Sequence, residues 1–193
     1  MKRDAVDIIP YQPQWLAQFK TAKKDLENAL GSFALDIEHI GSTSIVNMVS
    51  KDRIDIQIGV KHISRNGCDA VNSCLNEFRF PSAYLSKDHL PPNQVDESDW
   101  DKIYLKGVTH RWDFKANIHI RKLGAKNYHY ALLFRDYLRQ NPESALAYAR
   151  LKLSLAKITR FDRAAYCEIK DPACDLIMVN AKIWAASKQR NKT

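Results

Sequence analysis

Alternation of apolar and polar residues predicts two strands, each with one buried face. Over 53–60 every second residue is isoleucine or valine, and the residues between them are polar or glycine. A similar period of two runs over 112–120, and it is the period at which strand side chains return to the same face of a sheet. We therefore expect each strand to carry a row of polar groups opposite its apolar row. Shorter apolar stretches predict further strands at 35–40 and 103–108.

Helical periodicity accounts for much of the remaining chain. Residues 13–30 place apolar side chains on one face, with Pro13 in the first turn and Gly31 at the C-terminal stop. Weaker patterns predict a helix at 67–77 and a helical turn around 45–49. From residue 127 onward the pattern is helical, and its breaks predict four helices, at 127–140, 142–158, 162–169 and 172–187. The fold class predicted is therefore α+β, with a helical C-terminal part.

Length and composition are those of a single-domain globular protein. The chain has 193 residues, 45% of them apolar, which predicts one domain over 1–193, with an α/β core at about 1–122 and a helical part at about 123–193. No apolar run reaches the ~20 residues of a membrane helix, and the N-terminus has no signal-peptide core. We therefore expect a cytoplasmic protein without a membrane partner. The spacings of its four cysteines predict free, mostly buried thiols rather than a zinc site.

Charge is distributed unevenly along the chain. The net charge is +8. Residues 1–85 hold ten basic and ten acidic side chains, 86–101 hold one and five, and 102–193 hold nineteen and seven. The acidic stretch 86–101 contains Pro91-Pro92-Asn93 and is predicted to be a loop long enough for a lid or a binding role. The basic C-terminal half fits a nucleotide or another phosphate-bearing partner, although surface lysines alone also explain it. Without an RNA-recognition signature or zinc finger, a nucleic acid is disfavoured.

A Gly-Ser turn between two predicted strands carries the candidate chemistry. Gly41 allows a backbone to approach a phosphate closely, and Ser42, Thr43 and their amides can donate hydrogen bonds to its oxygens. Asp55 projects from the next strand, where it could hold Mg²⁺. Nucleotidyl transfer uses such a cradle, a metal-holding carboxylate and neighbouring bases. The alternative is an ordinary turn, with Asp55 paired to a base such as Arg53.

Several stretches in the same order resemble the GrpB family, which is classed with the nucleotidyltransferase-fold superfamily. The resemblance covers nearly the whole chain and is carried by Ile9-Pro10-Tyr11, Ile37-Glu38-His39-Ile40-Gly41-Ser42-Thr43-Ser44, Ile54-Asp55-Ile56-Gln57, Ile118-His119-Ile120 and Leu133-Phe134-Arg135-Asp136-Tyr137-Leu138-Arg139. It implies a nucleotidyltransferase-like mixed sheet with the Gly-Ser motif at the entrance to a nucleotide cleft. Gly41 and Ser42 match the phosphate contact of that superfamily, and Asp55 matches its first metal-binding carboxylate.

The sequence departs from the family pattern at positions that matter for a metal. Gln57 occupies the second carboxylate position, which weakens a Mg²⁺ site because an amide carries no charge. Asn117 stands where family members usually have a histidine, and His119 follows it on the same strand face. A histidine ligand favours Mn²⁺ or Zn²⁺ over Mg²⁺. Val46-Asn47 replaces the usual Pro-Gly, and Asp52 replaces the proline of Lys-Pro, so the loop after the turn is expected to differ.

The resemblance and the residues together predict a site and three functions. Candidate catalytic residues are Asp55, Glu38 and His119; candidate cofactor-binding residues are Gly41, Ser42, Thr43, Lys51, Arg135 and Lys152; candidate metal ligands are Asp55, Gln57 and His119. The first function is a nucleotidyltransferase that uses Mg²⁺ or Mn²⁺ and moves a nucleoside monophosphate from a nucleoside triphosphate to an acceptor. The second is a nucleotide- or anion-binding module without turnover, which Gln57 favours. The third is a protein-interaction role, because family members occur fused to dephospho-CoA kinase.

Two of these residues, and the neighbouring His39, have structural alternatives. Arg135 forms part of an Arg-Asp pair that could tie the helical part to the sheet. His119 is either a site residue or a satisfied interior histidine. His39, next to Glu38, is either a buried hydrogen-bonded histidine or a proton carrier.

Overall fold

A five-stranded mixed sheet forms the centre of the structure, a computed structural model that describes residues 6–190 apart from the Val108 side chain. The strands are β1 Asp36–Ile40, β2 Ile54–Val60, β3 Tyr84–Lys87, β4 Asp101–Val108 and β5 Lys115–Lys122. Their order across the sheet is β1-β2-β5-β4-β3. The central pair β2 and β5 is parallel, and every other pair is antiparallel.

Five α-helices accompany the sheet in the part of the chain that the structure describes. They are α1 Gln14–Leu30, α2 Arg65–Cys74, α3 Lys126–Gln140, α4 Pro142–Thr159 and α5 Arg163–Arg190. The last strand therefore ends at Lys122, and only helices follow. This confirms the α+β class with a helical C-terminal part, whereas the division into a core and a helical part stays a prediction. No described helix is long and apolar enough to cross a membrane.

The two faces of the sheet differ in chemistry because side chains alternate along each strand. Ile56 of β2 and Ile118 of β5 are paired in register and belong to a core that includes the buried face of α1. On the opposite face, Gln57 is paired with His119, and Gln57 bonds to the backbone of α3. The polar rows predicted for β2 and β5 thus lie side by side and face the C-terminal helices.

Three local predictions were wrong. The residues 84–87 form the edge strand β3, and a 3-10 turn covers Glu97–Trp100, so the predicted loop 86–101 is shorter. The helical turn expected around 45–49 lies earlier, at Ser42–Ser44. The helices expected at 162–169 and 172–187 are one helix, α5, with Pro172 inside it.

Helix α5 continues through Pro172 because both of its halves are packed in the helical part. A proline removes one backbone donor and strains the preceding turn, but Tyr166 before it and Cys174, Met178 and Ala181 after it are buried. All four cysteines are free, and two of them are buried.

Candidate functional site

Gly41 sits where the chain leaves β1 and turns beside Asp55. Its φ of +68° lies in the region that glycine tolerates best. Ile40 is paired with Asp55, and a Cβ on Gly41 would overlap the Asp55 carboxylate. A glycine is therefore required both by the backbone conformation and by the close approach of this carboxylate.

The 3-10 turn Ser42–Ser44 presents two amides that have no acceptor within the turn. The first backbone bond of the turn runs from the Ser44 amide to the Gly41 carbonyl at 3.2 Å, so the amides of Ser42 and Thr43 precede the hydrogen-bonded part. The Ser44 hydroxyl donates to the same carbonyl at 2.6 Å. The predicted cradle residues Gly41, Ser42 and Thr43 are thus brought together, with the geometry in which a turn can bind an anion.

Lys152 of α4 reaches the turn from the helical part. Its Nζ donates to the Ser42 hydroxyl at 2.7 Å and to the Val49 carbonyl at 2.5 Å, and lies 5.4 Å from the centre of the Tyr148 ring. Lys152 is only 4% exposed. Burial, reinforced by the charge of Lys170, lowers the pKa of Lys152 to about 7. Among the described residues, no carboxylate lies within ion-pair distance of this amine.

Lys51 adds a second base at the same end of the sheet. Its amine lies 4.5 Å from the centre of the Tyr166 ring of α5. Burial lowers the pKa of Lys51, and the nearby charges of Arg163 and Lys170 lower it further. As for Lys152, the described residues provide no carboxylate within ion-pair distance. Neither of these two predicted cofactor-binding lysines therefore has a carboxylate within ion-pair distance, although the charge of Asp55 acts on both.

Asp55 is held by a polar cluster on the open part of the sheet face. Asn117 donates to Asp55 Oδ1 at 2.7 Å, and His119 Nε2 lies 3.7 Å from the same oxygen. Tyr104 and Arg53 both donate to Asn117 Oδ1, at 3.0 and 3.3 Å. Burial raises the pKa of Asp55, but the neighbouring His119 and Asn117 outweigh it, so the pKa lies below its ordinary value. The carboxylate is consequently ionised at neutral pH.

His119 lies between Asp55 and Lys102. The Lys102 amine is 3.4 Å from His119 Nδ1, and because an ammonium only donates, this contact places the proton of a neutral His119 on Nε2. Burial lowers the pKa of His119, and its interaction with Asp55 does not compensate. A neutral imidazole beside Asp55 is therefore the resting form.

Gln57 is fully buried, and both ends of its amide have partners. Its Nε2 donates to the Tyr128 carbonyl at 3.3 Å, and its Oε1 accepts from Arg121. Arg121 also donates twice to Asp88, at 2.8 and 3.0 Å. A metal ion at Gln57 would have to displace Arg121 from the only oxygen of that side chain, so the predicted ligand role of Gln57 has no support in this geometry.

Asp88 neutralises the cations at this end of the polar face. Besides its two bonds from Arg121, it accepts from Lys102 at 2.6 Å and from Asn127 at 3.0 Å. Burial raises the pKa of Asp88, but Arg121 and Lys102 hold it far below the ordinary value. Asp88, Lys102 and Arg121 were not among the predicted site residues, although Arg121 extends by one period the alternation that singled out His119.

Glu38 and Arg135 are paired with each other. Arg135 Nη1 donates to Glu38 Oε2 at 2.5 Å and to the His39 carbonyl at 3.0 Å, while its Nε donates to Asp136 at 2.7 Å. This ties α3 to β1, which is the structural alternative for Arg135. A base role for Glu38 and a nucleotide contact by Arg135 would both require this ion pair to open.

His39 has the environment of a buried hydrogen-bonded histidine. Its Nε2 lies 3.0 Å from the Thr43 hydroxyl, and its ring stacks on Phe19 with the ring centres 4.7 Å apart. Burial lowers the pKa of His39 to about 4, which keeps the ring neutral. If His39 Nε2 is the donor, the Thr43 hydroxyl still has its own hydrogen for an anion; if the hydroxyl donates to His39, only the Thr43 amide remains.

The residues present offer Asp55 as a ligand for a divalent ion, and His119 as a second ligand once Nε2 has lost its proton. Over the described range 6–190, no three His, Cys, Asp or Glu side chains are grouped to hold a metal. A hard cation can be held by one or two carboxylates when substrate phosphates complete its coordination. The donor set is therefore compatible with an ion that binds together with a phosphate ligand, and metal binding stays a prediction.

The fold and the site together define an α+β protein with a Gly-Ser turn at the end of its first strand and a carboxylate at the start of the next. The sequence profile described as GrpB protein matches residues 5–180, and the chain belongs to the GrpB family. The crystal structure of conserved protein GrpB from Enterococcus faecalis superposes with a TM-score of 0.70 at 27% identity, covering 92% of this chain and 99% of that one.

Two curated relatives are about twice as long as the region they share with this chain. The UPF0157 protein YqkA of Bacillus subtilis is 32% identical over 186 residues, which are 96% of this chain and 49% of that protein. A dephospho-CoA kinase of Mycolicibacterium paratuberculosis is 29% identical over 182 residues, covering 88% of this chain and 44% of the kinase. The chain thus spans about half or less of the length of these two relatives.

Proposed function

We propose that the cleft beside the Gly41–Thr43 turn binds the phosphates of a nucleotide or a related small molecule. The observation that carries this proposal is Lys152, a buried amine with hydrogen-bond partners but no described carboxylate to neutralise it. Buried charges in proteins are normally paired, because an unpaired charge away from water is costly. A phosphate bound at the turn supplies the missing negative charge and accepts from the amides of Ser42 and Thr43.

The second unneutralised base, Lys51, supports a ligand with more than one negative charge. Its amine lies over the Tyr166 ring of α5, where Arg163 contributes further positive potential. A chain of phosphates offers these lysines and turn amides more negative charge than a single phosphate does. Relatives named dephospho-CoA kinase contain a region similar to this chain, which makes coenzyme A and dephospho-coenzyme A reasonable ligands to test beside nucleoside triphosphates.

Nucleotidyl transfer is the second candidate, and the ionised Asp55 favours it. When bound, a divalent ion would supply charge stabilisation at the reacting phosphate, with Asp55 and His119 as its protein ligands. Alternatively, His119 can accept a proton from an acceptor hydroxyl on Nδ1 if Lys102 moves away from that nitrogen. Transfer needs a bound metal ion, and Gln57 in place of a second carboxylate leaves few protein ligands for one. Phosphate binding at the turn needs no metal, so binding is placed first.

The test is calorimetric titration with ATP, dephospho-coenzyme A, coenzyme A and inorganic tripolyphosphate, with and without Mn²⁺. Lys152→Met is expected to weaken binding of every phosphate ligand at least tenfold. Lys157→Met, which removes an exposed charge from the same helix, is the matched control and should bind as the wild type does. No binding of any of the four compounds, or equal binding by Lys152→Met, would refute the proposal.

Metal dependence separates the two candidates. If Mn²⁺ strengthens binding of ATP and Asp55→Asn abolishes that gain, the cleft has the metal-dependent site that transfer requires. Asp113→Asn, which removes an exposed carboxylate from the segment before β5, is the control for loss of charge. If neither Mn²⁺ nor Asp55→Asn changes the affinity for ATP, nucleotidyl transfer is refuted and only the phosphate-binding function remains.

A further inference from the structure

Two tyrosines lie on the polar face of the sheet beyond the Asp55 cluster. Tyr84 of the edge strand β3 is paired with Tyr104 of β4, which is paired in turn with His119 of β5. The three side chains therefore share the face that carries Asp55. Tyr84 is 51% exposed, whereas Tyr104 is partly buried against its neighbours. The polar face thus ends in an aromatic wall that is open to solvent.

The two tyrosine rings form a corner. Their centres are 5.7 Å apart and their planes are inclined at 88°. Behind the corner, the His119 ring lies 5.0 Å from Tyr104, and the Lys102 amine lies 5.1 Å from the centre of the Tyr104 ring. A flat aromatic group that stacks on one of two perpendicular rings meets the other edge-on, and both geometries are favourable.

The corner is connected to the proposed phosphate site. The Tyr104 hydroxyl donates to Asn117, and Asn117 donates to Asp55, so two hydrogen bonds join the aromatic wall to the carboxylate beside Gly41. Tyr104 on β4 lies two strand spacings from β2, or about 10 Å, and Tyr84 on β3 lies three, or about 14 Å. A ribose that carries an extended triphosphate is long enough to span these distances.

We infer that the Tyr84–Tyr104 corner binds the aromatic base of a nucleotide whose phosphates occupy the Gly41–Thr43 turn. The inference rests on the proposed function and narrows its ligand class from phosphate-bearing molecules in general to nucleotides. A cross-strand aromatic pair also stabilises a sheet, so the decisive measurement compares ligands that do and do not carry a base.

The experiment titrates ATP and inorganic tripolyphosphate into the wild type and three variants. Tyr84→Ala should weaken ATP binding about 5-fold to 100-fold, the range of base stacking on an aromatic side chain, and should leave tripolyphosphate binding unchanged. Tyr84→Phe keeps the ring and should bind both compounds as the wild type does. Leu85→Ala is the matched control, because Leu85 is also exposed and lies on the opposite face of the same strand.

Two results would overturn the inference. The first is a Tyr84→Ala variant that binds ATP as well as the wild type does. The second is an equal loss of ATP and tripolyphosphate in that variant, which would show that the substitution acts through the fold. If the wild type binds neither ATP nor tripolyphosphate, and the coenzyme A compounds do not bind either, the phosphate site is refuted and this inference falls with it.

Discussion

Replacement of Lys152 by methionine should stabilise the ligand-free protein at pH 7. A pKa of about 7 in place of the ordinary 10.5 means that protonation of Lys152 penalises the folded state by about 4 kcal/mol at neutral pH. Methionine fills a similar volume without a charge, but it leaves the Ser42 hydroxyl and the Val49 carbonyl without their donor, at a cost of about 2 kcal/mol. The net expectation is a stabilisation of about 2 kcal/mol.

The pH dependence of the stability difference distinguishes removal of the buried Lys152 charge from an improvement in packing. The unfolded chain keeps the Lys152 proton up to about pH 10.5, whereas the folded protein loses it near pH 7. The wild type therefore becomes more stable as pH rises from about 7 to 10.5. Below about pH 7 it carries the full penalty of burying a protonated Lys152. The advantage of Lys152→Met should be largest at pH 6–7, shrink with rising pH and reverse by about pH 10.

Thermal unfolding followed by circular dichroism at pH 6, 7, 8 and 9 measures the effect. For a chain of 193 residues, 2 kcal/mol corresponds to an increase in Tm of about 4–8 °C. Lys157→Met, an exposed substitution on the same helix, should change stability by less than about 0.5 kcal/mol. A Lys152→Met variant that is less stable than the wild type at pH 6–7, or a difference that does not vary with pH, would refute the reasoning.

Three further substitutions test the surroundings of the site. Gly41→Ala should destabilise the protein by about 2 kcal/mol in urea unfolding, because its positive φ and the overlap with Asp55 both oppose a side chain; unchanged stability would contradict the geometry. Arg135→Met should cost about 2–3 kcal/mol by leaving Glu38 unpaired, and it should leave tripolyphosphate affinity within about 2-fold if Arg135 is only a structural tie. Asp88→Asn should lower the free energy of unfolding by about 3 kcal/mol at pH 7. This difference from the wild type should shrink below about pH 4, because the wild type there loses the stability that its low Asp88 pKa provides. A difference that does not vary with pH would contradict the lowered pKa.

Local periodicity was sufficient to predict the polar face of the sheet. The alternation in β2 and β5 placed Asp55 and His119 on non-apolar faces, and the parallel pairing brings both faces together. The same periodicity could not predict β3, because four residues at an edge are too few to show a period, and their pairing with β4 stabilises them. It also could not predict the continuity of α5, since a proline normally ends a helix and only burial on both sides of Pro172 overrides this tendency.

The partners of the predicted residues depended on contacts between distant parts of the chain. Gln57 meets Arg121 across 64 positions, and Arg135 meets Glu38 across 97. No local pattern indicates that an amide expected to bind a metal is instead held by an arginine. A residue type at the right position of a motif therefore predicted where Gln57 and Glu38 lie, but not whether their oxygens remain available.

Neutralisation of charge divides the polar face into two parts with different roles. Around Asp88 the cations Arg121 and Lys102 have a buried carboxylate, so removal of Asp88 should destabilise the folded protein. Around the Gly-Ser turn, Lys152 has no described counter-ion, so its removal should stabilise the ligand-free protein and weaken ligand binding. Removal of a charge should therefore change the free energy of unfolding in opposite directions at Asp88 and at Lys152. A stabilising loss of charge that also abolishes binding is the expected behaviour of a residue retained for ligand recognition rather than for folding.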